Sequence, residues 1–314
     1  MMRNVCTLAI VVPLLLFQAP SLGAVLPAPQ TPTLDAVLVR AGEYVTAFHE
    51  SFRLIVADES YVQIQRGYGV ASGDLAALGA TAGESTGHKV RKIKSEFALI
   101  ANPGSSTWHG FRDVLEVDGK PVQDQKDRLR HLFVEAPATA YAEARRIDDE
   151  GSRYNLGGIK RTINIPTFTL MCLLPKNQAG FEFKKKAEKK VGGVTAWVIS
   201  FVEKQRPTFI MSPAGAPMPT RGEVWIDPAT GRVLRTQVVV DSLDAFEELR
   251  RRPERYNSFP RIQIDVTFGQ DARLNLWVPL EMQEVYDRQA EVVTCTATYS
   301  NFRRFETDAK LIVK

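Results

Sequence analysis

Residues 224–240, VWIDPATGRVLRTQVVV, decide the fold of this chain. Its middle, Asp227-Pro228-Ala229-Thr230-Gly231, is made of the residue types that form tight turns. A short apolar stretch precedes the turn, and the run from Arg232 to Val240 is rich in β-branched residues, which favour strands. The segment therefore predicts two antiparallel strands joined by a turn.

Strands of the same kind flank this hairpin along the sequence. In each of them apolar and polar residues alternate, so that one face of the strand is apolar. The apolar positions are Trp197, Ile199 and Phe201; Ile262, Ile264, Val266 and Phe268; Leu276, Val278, Leu280 and Met282; and Val293, Cys295, Ala297 and Tyr299. Such one-sided strands are typical of an antiparallel sheet with one covered face.

The helices are predicted mainly upstream of these strands. Thr33 is a suitable N-cap, and from there apolar residues recur every three or four positions as far as Ile55. The apolar stripe is wide, so this helix is expected to lie on a sheet. Further helices are predicted at 127–134 and 137–154, and the segment 166–174, apolar on all sides, predicts a short buried helix.

The order of these elements predicts a single α+β domain over residues 33–314. Two segments lack periodicity and are predicted to be mobile loops. The first, near residues 70–88, is rich in glycine, and the second, near 206–222, is rich in proline and glycine. No repeat is long enough to indicate a solenoid or a propeller.

The N-terminus has the three-part pattern of a secretory signal peptide. A positive residue, Arg3, precedes an almost wholly apolar run at 5–17, and small residues follow up to Ala24. We expect residues 1–24 to be the signal peptide and residues 25–32 a proline-rich tether, in a protein of the periplasm or the extracellular space. The alternative is an uncleaved anchor, although the run is short for a membrane span, which needs about 20 residues. No other segment reaches that length, so no transmembrane segment is expected in the mature chain.

Composition and charge exclude several classes of protein. The chain has 314 residues, 44% hydrophobic and 24% charged, an ordinary globular balance. This composition excludes a disordered chain, a collagen-like chain and a coiled coil. A net charge of +4, from 40 Lys and Arg against 36 Asp and Glu, is too even for a dedicated nucleic-acid binder.

Two cysteines, Cys172 and Cys295, remain after removal of the signal peptide. An oxidising compartment permits a disulfide between them. Both lie in apolar stretches, so two free buried thiols are equally compatible with the sequence. No Cys-x-x-Cys pair and no Cys/His cluster occurs, which disfavours a structural zinc site.

The sequence carries no recognisable catalytic motif. His49-Glu50-Ser51-Phe52-Arg53 begins like a zinc-protease motif but lacks the second histidine, and His49 is interpreted as a solvated helix residue. No nucleophile elbow and no phosphate-binding loop is present. The chain is therefore predicted not to be an enzyme, with no metal and no cofactor. A hydrolase with dispersed residues stays open as an alternative, and would need His109 or His131 bonded to a carboxylate and a serine.

Two basic runs are the remaining charged features. Five of the seven residues at 184–190 are lysines, and arginines occupy 250–252 and Arg255. Each run could contact anionic lipid headgroups or an acidic partner. The simpler interpretation is a solvated hairpin tip and a solvated helix end.

Two stretches resemble a known family. Residues 224–234, VWIDPATGRVL, are similar to the W-I-D-x-x-T-G hairpin of periplasmic lipoprotein-carrier-like (LolA-like) proteins, and Tyr299-Ser300-Asn301-Phe302 is similar to their late strand. Residues 276–282, LWVPLEM, correspond in position to a strand of those proteins in which a proline precedes an apolar residue. The resemblance covers roughly residues 180–305, and this chain departs from the family by about a hundred inserted residues before the strands.

The resemblance implies a fold and a class of ligand. It implies a strongly curved antiparallel sheet or an incomplete β-barrel, with helices packed across the concave side and an apolar cavity for acyl chains or a segment of another protein. We therefore expect an exported binding protein for a lipid, an acylated peptide, a lipoprotein or a similar hydrophobic ligand. The predicted ligand-binding residues are Trp197, Ile199, Phe201, Ile264, Val266, Leu280 and Met282.

The alternative is a structural or sensory envelope module that acts through protein contacts. Its concavity would be filled by its own helices. The volume of the concavity distinguishes the two: an apolar pocket of about 300 Å³ or more favours the binding protein, and a solid core favours the module.

Overall fold

The structure is a computed structural model that describes most of the chain. The described residues are 31–52, 55–67, 88–101, 108–122, 128, 140–158, 161, 163–212, 214–242, 245, 251–252, 261–288 and 291–304. The chain divides into two compact units, 1–31 and 32–314, and only the second is described below. The signal peptide, most of the tether, nearly all of the loop 70–88 and most of the helix 127–134 lie outside the described residues.

One large sheet of eleven antiparallel strands dominates the domain. Its strand order is β4-β3-β2-β1-β13-β12-β11-β10-β9-β6-β5, and its two outermost strands are not paired with each other. The strands are β1 (Ile55–Gly67), β2 (Lys89–Ala101), β3 (Trp108–Val117), β4 (Lys120–Pro121), β5 (Phe181–Val191), β6 (Val194–Glu203), β7 (Ile210–Met211), β8 (Pro217–Met218), β9 (Thr220–Ile226), β10 (Val233–Asp241), β11 (Arg261–Asp271), β12 (Leu276–Arg288) and β13 (Glu291–Arg304). β7 and β8 form a separate small hairpin. The predicted α+β fold with a curved antiparallel sheet is confirmed.

Helix α1 (Leu34–Phe52) covers part of the sheet, as its apolar stripe predicts. The Thr33 hydroxyl accepts a hydrogen bond from the Ala36 amide at 3.2 Å, so Thr33 is the N-cap. The helix buries Val37, Ala41, Val45, Phe48 and Phe52 among others. Ile55, which the periodicity assigns to the same stripe, instead begins strand β1.

The turn between β9 and β10 is docked on α1. Asp227 organises the turn by accepting hydrogen bonds from the Ala229 amide at 3.0 Å and the Thr230 hydroxyl at 2.7 Å. Gly231 has a φ of +75° and lies directly against the backbone of Arg40. The Arg40 guanidinium donates to the Pro228 carbonyl at 2.8 Å. The turn that predicts the hairpin therefore also fixes the helix to the sheet.

The segment 206–222 is more regular than the predicted loop. It contains β7 and β8, and β9 begins at Thr220. The buried carboxylate of Glu203 accepts hydrogen bonds from the amides of Phe209 and Thr220, each at 2.8 Å, and from the Thr220 hydroxyl at 2.9 Å. These bonds hold both ends of the segment against β6.

The main core lies on one face of the sheet, which we call the inner face. α1 and a 3-10 helix (Pro166–Leu173) pack on it. Six of the eight residues of this 3-10 helix are buried, as its all-apolar sequence predicts. Within the described ranges the other multi-residue helices are α2 (Ala140–Gly151) and α3 (Pro175–Gln178), with short 3-10 turns at Ser152–Tyr154 and Leu156–Gly158.

Candidate functional site

The predicted ligand-binding residues, with one exception, meet on the inner face. Trp197, Ile199 and Phe201 lie on β6, and each is at most 4% exposed. The other members are Ile264 and Val266 on β11 and Met282 on β12, all fully buried. The six belong to one core cluster.

The exception is Leu280, which the structure places elsewhere. The pairing of β11 with β12 has a bulge: Thr267 pairs with Glu281 and Phe268 with Pro279, so Leu280 is the extra residue. A bulge reverses the alternation of side chains, which the sequence pattern does not reveal. Leu280 is 41% exposed and lies over Gly269, outside the main core.

The chain's own elements fill the inner face around the six residues. Phe48 of α1 packs edge-to-face on Phe268 of β11, with ring centroids 6.1 Å apart. The hydroxyl of Thr169, on the 3-10 helix, lies 2.6 Å from that of Thr236 on β10. This half of the inner face is therefore a packed core in the structure.

The other half of the inner face, on β1–β3, β12 and β13, carries buried polar and charged side chains. Together with Arg161, which comes from the chain that crosses above the sheet, we call them the polar cluster: Glu59, Tyr61, Gln63, Ser95, Arg112, Arg161, Glu284, Tyr286 and Tyr299. The two halves meet where Glu284 pairs with Ile264 across β11 and β12. The cluster therefore borders the predicted ligand-binding residues directly.

Arg112 on β3 is the first anchor of the polar cluster. Its Nε lies 2.6 Å from a carboxylate oxygen of Glu59, which also accepts a hydrogen bond from the Ser95 hydroxyl at 2.8 Å. Its Nη2 donates to the backbone carbonyl of Asn164 at 2.5 Å. Burial disfavours the charged guanidinium, but the Glu59 carboxylate, together with Tyr299 and Tyr61, outweighs this effect and raises the pKa of Arg112 further above its usual range.

Arg161 is the second anchor. One of its terminal nitrogens donates to the Gln63 side chain at 2.8 Å and to the Asn155 side chain at 3.2 Å, and the other donates to the Leu156 carbonyl at 2.9 Å. The guanidinium also stacks on the Tyr286 ring, 4.7 Å from its centroid. It therefore connects the sheet to the chain that crosses above it.

The chain above the polar cluster is the cover segment, residues 140–164, described except for 159, 160 and 162. Its attachment to the sheet includes hydrogen bonds to its backbone. Gln63 binds the Leu156 amide at 2.8 Å and the Tyr154 carbonyl at 3.5 Å, and Arg91 donates to the same carbonyl at 3.2 Å. Side chains of the sheet thus hold the cover by its main chain.

Burial shifts the ionisation of the cluster. Burial raises the pKa of Glu284, and it raises those of Tyr61, Tyr286 and Tyr299 well above their usual values. A phenol with so high a pKa is a poor general acid at neutral pH. The arrangement can orient hydrogen-bonding groups and balance charge.

The described residues also form two pockets near the cover segment. One has a volume of about 20 Å³ and is lined by Tyr61, Arg112 and Arg161 among others. The other, of about 180 Å³, lies between β3 and α2. Neither includes any of the seven predicted ligand-binding residues, and neither is an apolar cavity of the size that the binding-protein hypothesis predicts.

Cys172 and Cys295 are both free and buried. Burial, followed by the nearby Glu284 carboxylate, raises the pKa of Cys295 to about 12, and burial raises that of Cys172 still further. Neither thiol is therefore an activated nucleophile.

The histidines give no catalytic arrangement among the described side chains. His49 is buried rather than solvated as predicted, because the end of α1 is covered. Burial and the nearby Lys176 lower its pKa to about 4. The side chain of His109 and all of His131 lie outside the described residues. Over the described parts of the chain, no group of three His, Cys, Asp or Glu could hold a metal ion.

The basic run 184–190 lies on β5, an outermost strand of the sheet. Lys184, Lys186, Lys189 and Lys190 are exposed. Lys185 pairs with Glu188 at 2.6 Å and lies over the Trp197 ring. Of the second run, only Arg251 and Arg252 are described. No helix within the described ranges is long and apolar enough to cross a membrane.

Sequence reasoning missed the polar cluster. Glu59, Tyr61 and Gln63 alternate along β1, which is a signal for a polar strand face. A single strand does not reveal whether such a face points to solvent or to the core. The partners of these residues also come from distant parts of the chain.

Comparisons with known proteins find distant likenesses to solved structures alone. No protein-family model matches the chain, and no curated protein matches it. A putative outer membrane lipoprotein-sorting protein domain from Vibrio parahaemolyticus is similar over 85% of this chain and 91% of its own, with 10% identity and a TM-score of 0.36. A DUF1329 family protein from Desulfovibrio piger is similar over 87% of this chain and 94% of its own, with 9% identity and a TM-score of 0.33. These identities and TM-scores are low, so the likeness carries no conclusion about the family, the ligand or the activity of this chain.

Proposed function

We propose that this protein is a non-enzymatic binding protein that holds a lipid or acylated peptide on the inner face of its sheet, beneath the cover segment. The observation that carries the proposal is the attachment of the cover. Buried arginine and glutamine side chains hold it through its backbone, next to an apolar core.

The two halves of the inner face differ in what opening them would cost. α1 and the 3-10 helix bury large apolar side chains, so exposing that half would lose about 1.5–3 kcal/mol for each side chain uncovered. The cover is held partly by hydrogen bonds, which water can replace. Their net contribution is about 0.5–1.5 kcal/mol each, or about 1.5–3 kcal/mol where an arginine donates. The cover segment is therefore the element that would move.

Arg112 supplies a polar partner for a ligand that enters there. It now donates to the carbonyl of Asn164 in the cover segment. A carboxylate or ester group of a ligand could take the place of this carbonyl, and its acyl chain would extend toward Ile264 and Met282. In this proposal Trp197, Ile199 and Phe201 are structural core, and Leu280 is no part of the site.

A fluorescent fatty acid titrated into the purified protein tests the proposal. Gln63→Ala removes three bonds to the cover, those with Tyr154, Leu156 and Arg161, and leaves every charge in place, so it should raise the affinity for the probe severalfold. Gln65→Ala is the matched control, because Gln65 lies on the same strand but binds Glu291 rather than the cover. Absence of probe binding in both the wild type and Gln63→Ala would refute the proposal.

The second candidate is the structural or sensory module whose concavity is its own core. The complete burial of six predicted ligand-binding residues favours it. In that case no probe binds, and the cover variants change only the free energy of unfolding. The two candidates therefore differ in probe binding, independently of stability.

We also propose that the protein is exported to the periplasm or beyond, on the strength of the signal-peptide pattern at 1–24. N-terminal sequencing of the protein from the envelope fraction should give a chain that begins at Ala24 or Val25. A membrane-bound protein that still begins at Met1 would refute this proposal.

Contact with an anionic membrane surface is a further part of the proposal. It is supported by the four exposed lysines of β5, which repel a cation and attract lipid phosphates. The protein should sediment with anionic vesicles at low salt and be released at high salt, since such attraction is screened. Equal sedimentation with neutral vesicles would contradict it.

A further inference from the structure

The larger pocket lies at the sheet margin, where β3 meets α2. Its volume of about 180 Å³ is lined by Asp113, Val122, Arg128, Ile147 and Arg153 among others. A cavity of about 150 Å³ is enough to hold benzene. The pocket therefore has room for a small organic molecule as well as for water.

Asp113 is the unusual group in this pocket. Its side chain is 1% exposed, and neither carboxylate oxygen has a hydrogen-bond partner among the described residues. The Arg128 Nη1 is 3.7 Å from it, but the Nη2 of the same arginine binds Glu150 at 2.9 Å. Buried carboxylates are normally hydrogen-bonded, so the geometry leaves Asp113 in need of a donor.

The rest of the pocket indicates what kind of donor would fit. Two carboxylates, Asp113 and Glu150, and two guanidinium groups, Arg128 and Arg153, line the pocket, so its charges balance. Arg153 is exposed, whereas Arg128 is already engaged by Glu150. A charge-balanced pocket fits a ligand that has no net charge but carries one positive and one negative group.

We propose that this pocket binds a small zwitterion of the α-amino acid class. Its ammonium group donates hydrogen bonds to Asp113, and its carboxylate pairs with Arg153. A small apolar side chain packs against Val122 and Ile147. Ile147, Glu150 and Arg153 belong to the cover segment, so this pocket adjoins the proposed lipid site. Binding of the zwitterion and binding of the fatty-acid probe are measured separately, so either proposal can fail without the other.

The ionisation of Asp113 supports the proposal and predicts its pH dependence. Burial, together with Glu96 and Glu150, raises the pKa of Asp113 to about 6, and Arg128 opposes the shift. An ammonium group binds the ionised carboxylate, so the ligand's affinity should fall as the pH drops below 6.

Titration calorimetry of the purified protein with L-valine and its two single-charge analogues tests the charge requirement. Isobutylamine lacks the carboxylate, and 3-methylbutanoate lacks the ammonium group. We expect L-valine to bind at least tenfold more tightly than either. Equal binding of isobutylamine would overturn the zwitterion in favour of a simple cation, and the absence of L-valine binding at millimolar concentration would overturn the site.

Variants of the two charged groups locate the binding. Asp113→Asn and Arg153→Ala should each weaken L-valine binding at least tenfold. Arg145→Ala is the matched control, because Arg145 is an exposed arginine of α2 that does not line the pocket. Circular dichroism confirms that each variant is folded. Binding that survives in folded Asp113→Asn would refute the assignment.

Discussion

Replacing Phe201 by alanine tests whether the apolar half of the inner face is core or a ligand-facing wall. Phe201 is 2% exposed, and its ring packs edge-to-face on Phe181 with centroids 5.8 Å apart. It also lies against the backbone of Gly222, which has no side chain to move into the space that the ring would leave. The cavity would therefore remain open.

The expected loss in the free energy of unfolding is about 3–5 kcal/mol, the range for phenylalanine truncation in a packed core. The lost aromatic pair, about 0.5–1.5 kcal/mol, places the value in the upper half of that range. Urea denaturation followed by fluorescence or circular dichroism measures it. Leu280→Ala, from the same predicted set but 41% exposed, is the control and should cost much less. A loss below about 1 kcal/mol for Phe201→Ala would show that the ring faces empty space, and would refute the packed-core interpretation.

The other predictions concern single groups. Burial raises the pKa of Asp113 to about 6, so protonation of this carboxyl favours the folded state. The free energy of unfolding should therefore fall as the pH rises from about 4 to 6. Asp113→Asn should remove this dependence and stabilise the protein at pH 7 by about 1–3 kcal/mol, as measured by denaturant unfolding. Gly231→Ala combines a positive φ with a clash against the α1 backbone and should lower the melting temperature by several degrees. Gly193→Ala, with a positive φ in open space, is the control and should lower the melting temperature less. A thiol reagent should find no reactive thiol in the native protein and two in denaturant without reductant, Cys172 and Cys295; a count of zero in denaturant would show that they are bridged.

Local patterns in the sequence were sufficient for the elements of the fold. The turn at 227–231, the stripe of α1 and the all-apolar 3-10 helix each carry their signal within a few residues. Leu280 shows the limit of such patterns. A bulge inserts one residue without changing the composition of the strand, so alternation assigns the next side chain to the opposite face.

The polar cluster could not be predicted for a different reason. The carboxylate of Glu59 is acceptable in the core because Arg112, 53 residues later, pairs with it. A buried charge without such a partner would cost several kcal/mol, so a charged residue is assigned to the surface by default when only the sequence is known. Only the tertiary structure shows that the partner is present.

The pairing of β1 with β13 sets the order in which this chain can fold. Asn301 on β13 donates a hydrogen bond to Asp58 on β1, 243 residues earlier. The strands from β9 to β13 can pair with near neighbours as they are made, but β1 has no place in the sheet until β13 exists. Pairings between such distant segments are slow, because a long loop must close before they form. The sheet therefore stays incomplete until β13 has been synthesised. A truncation within β13 would leave β1–β3 detached from the rest of the sheet.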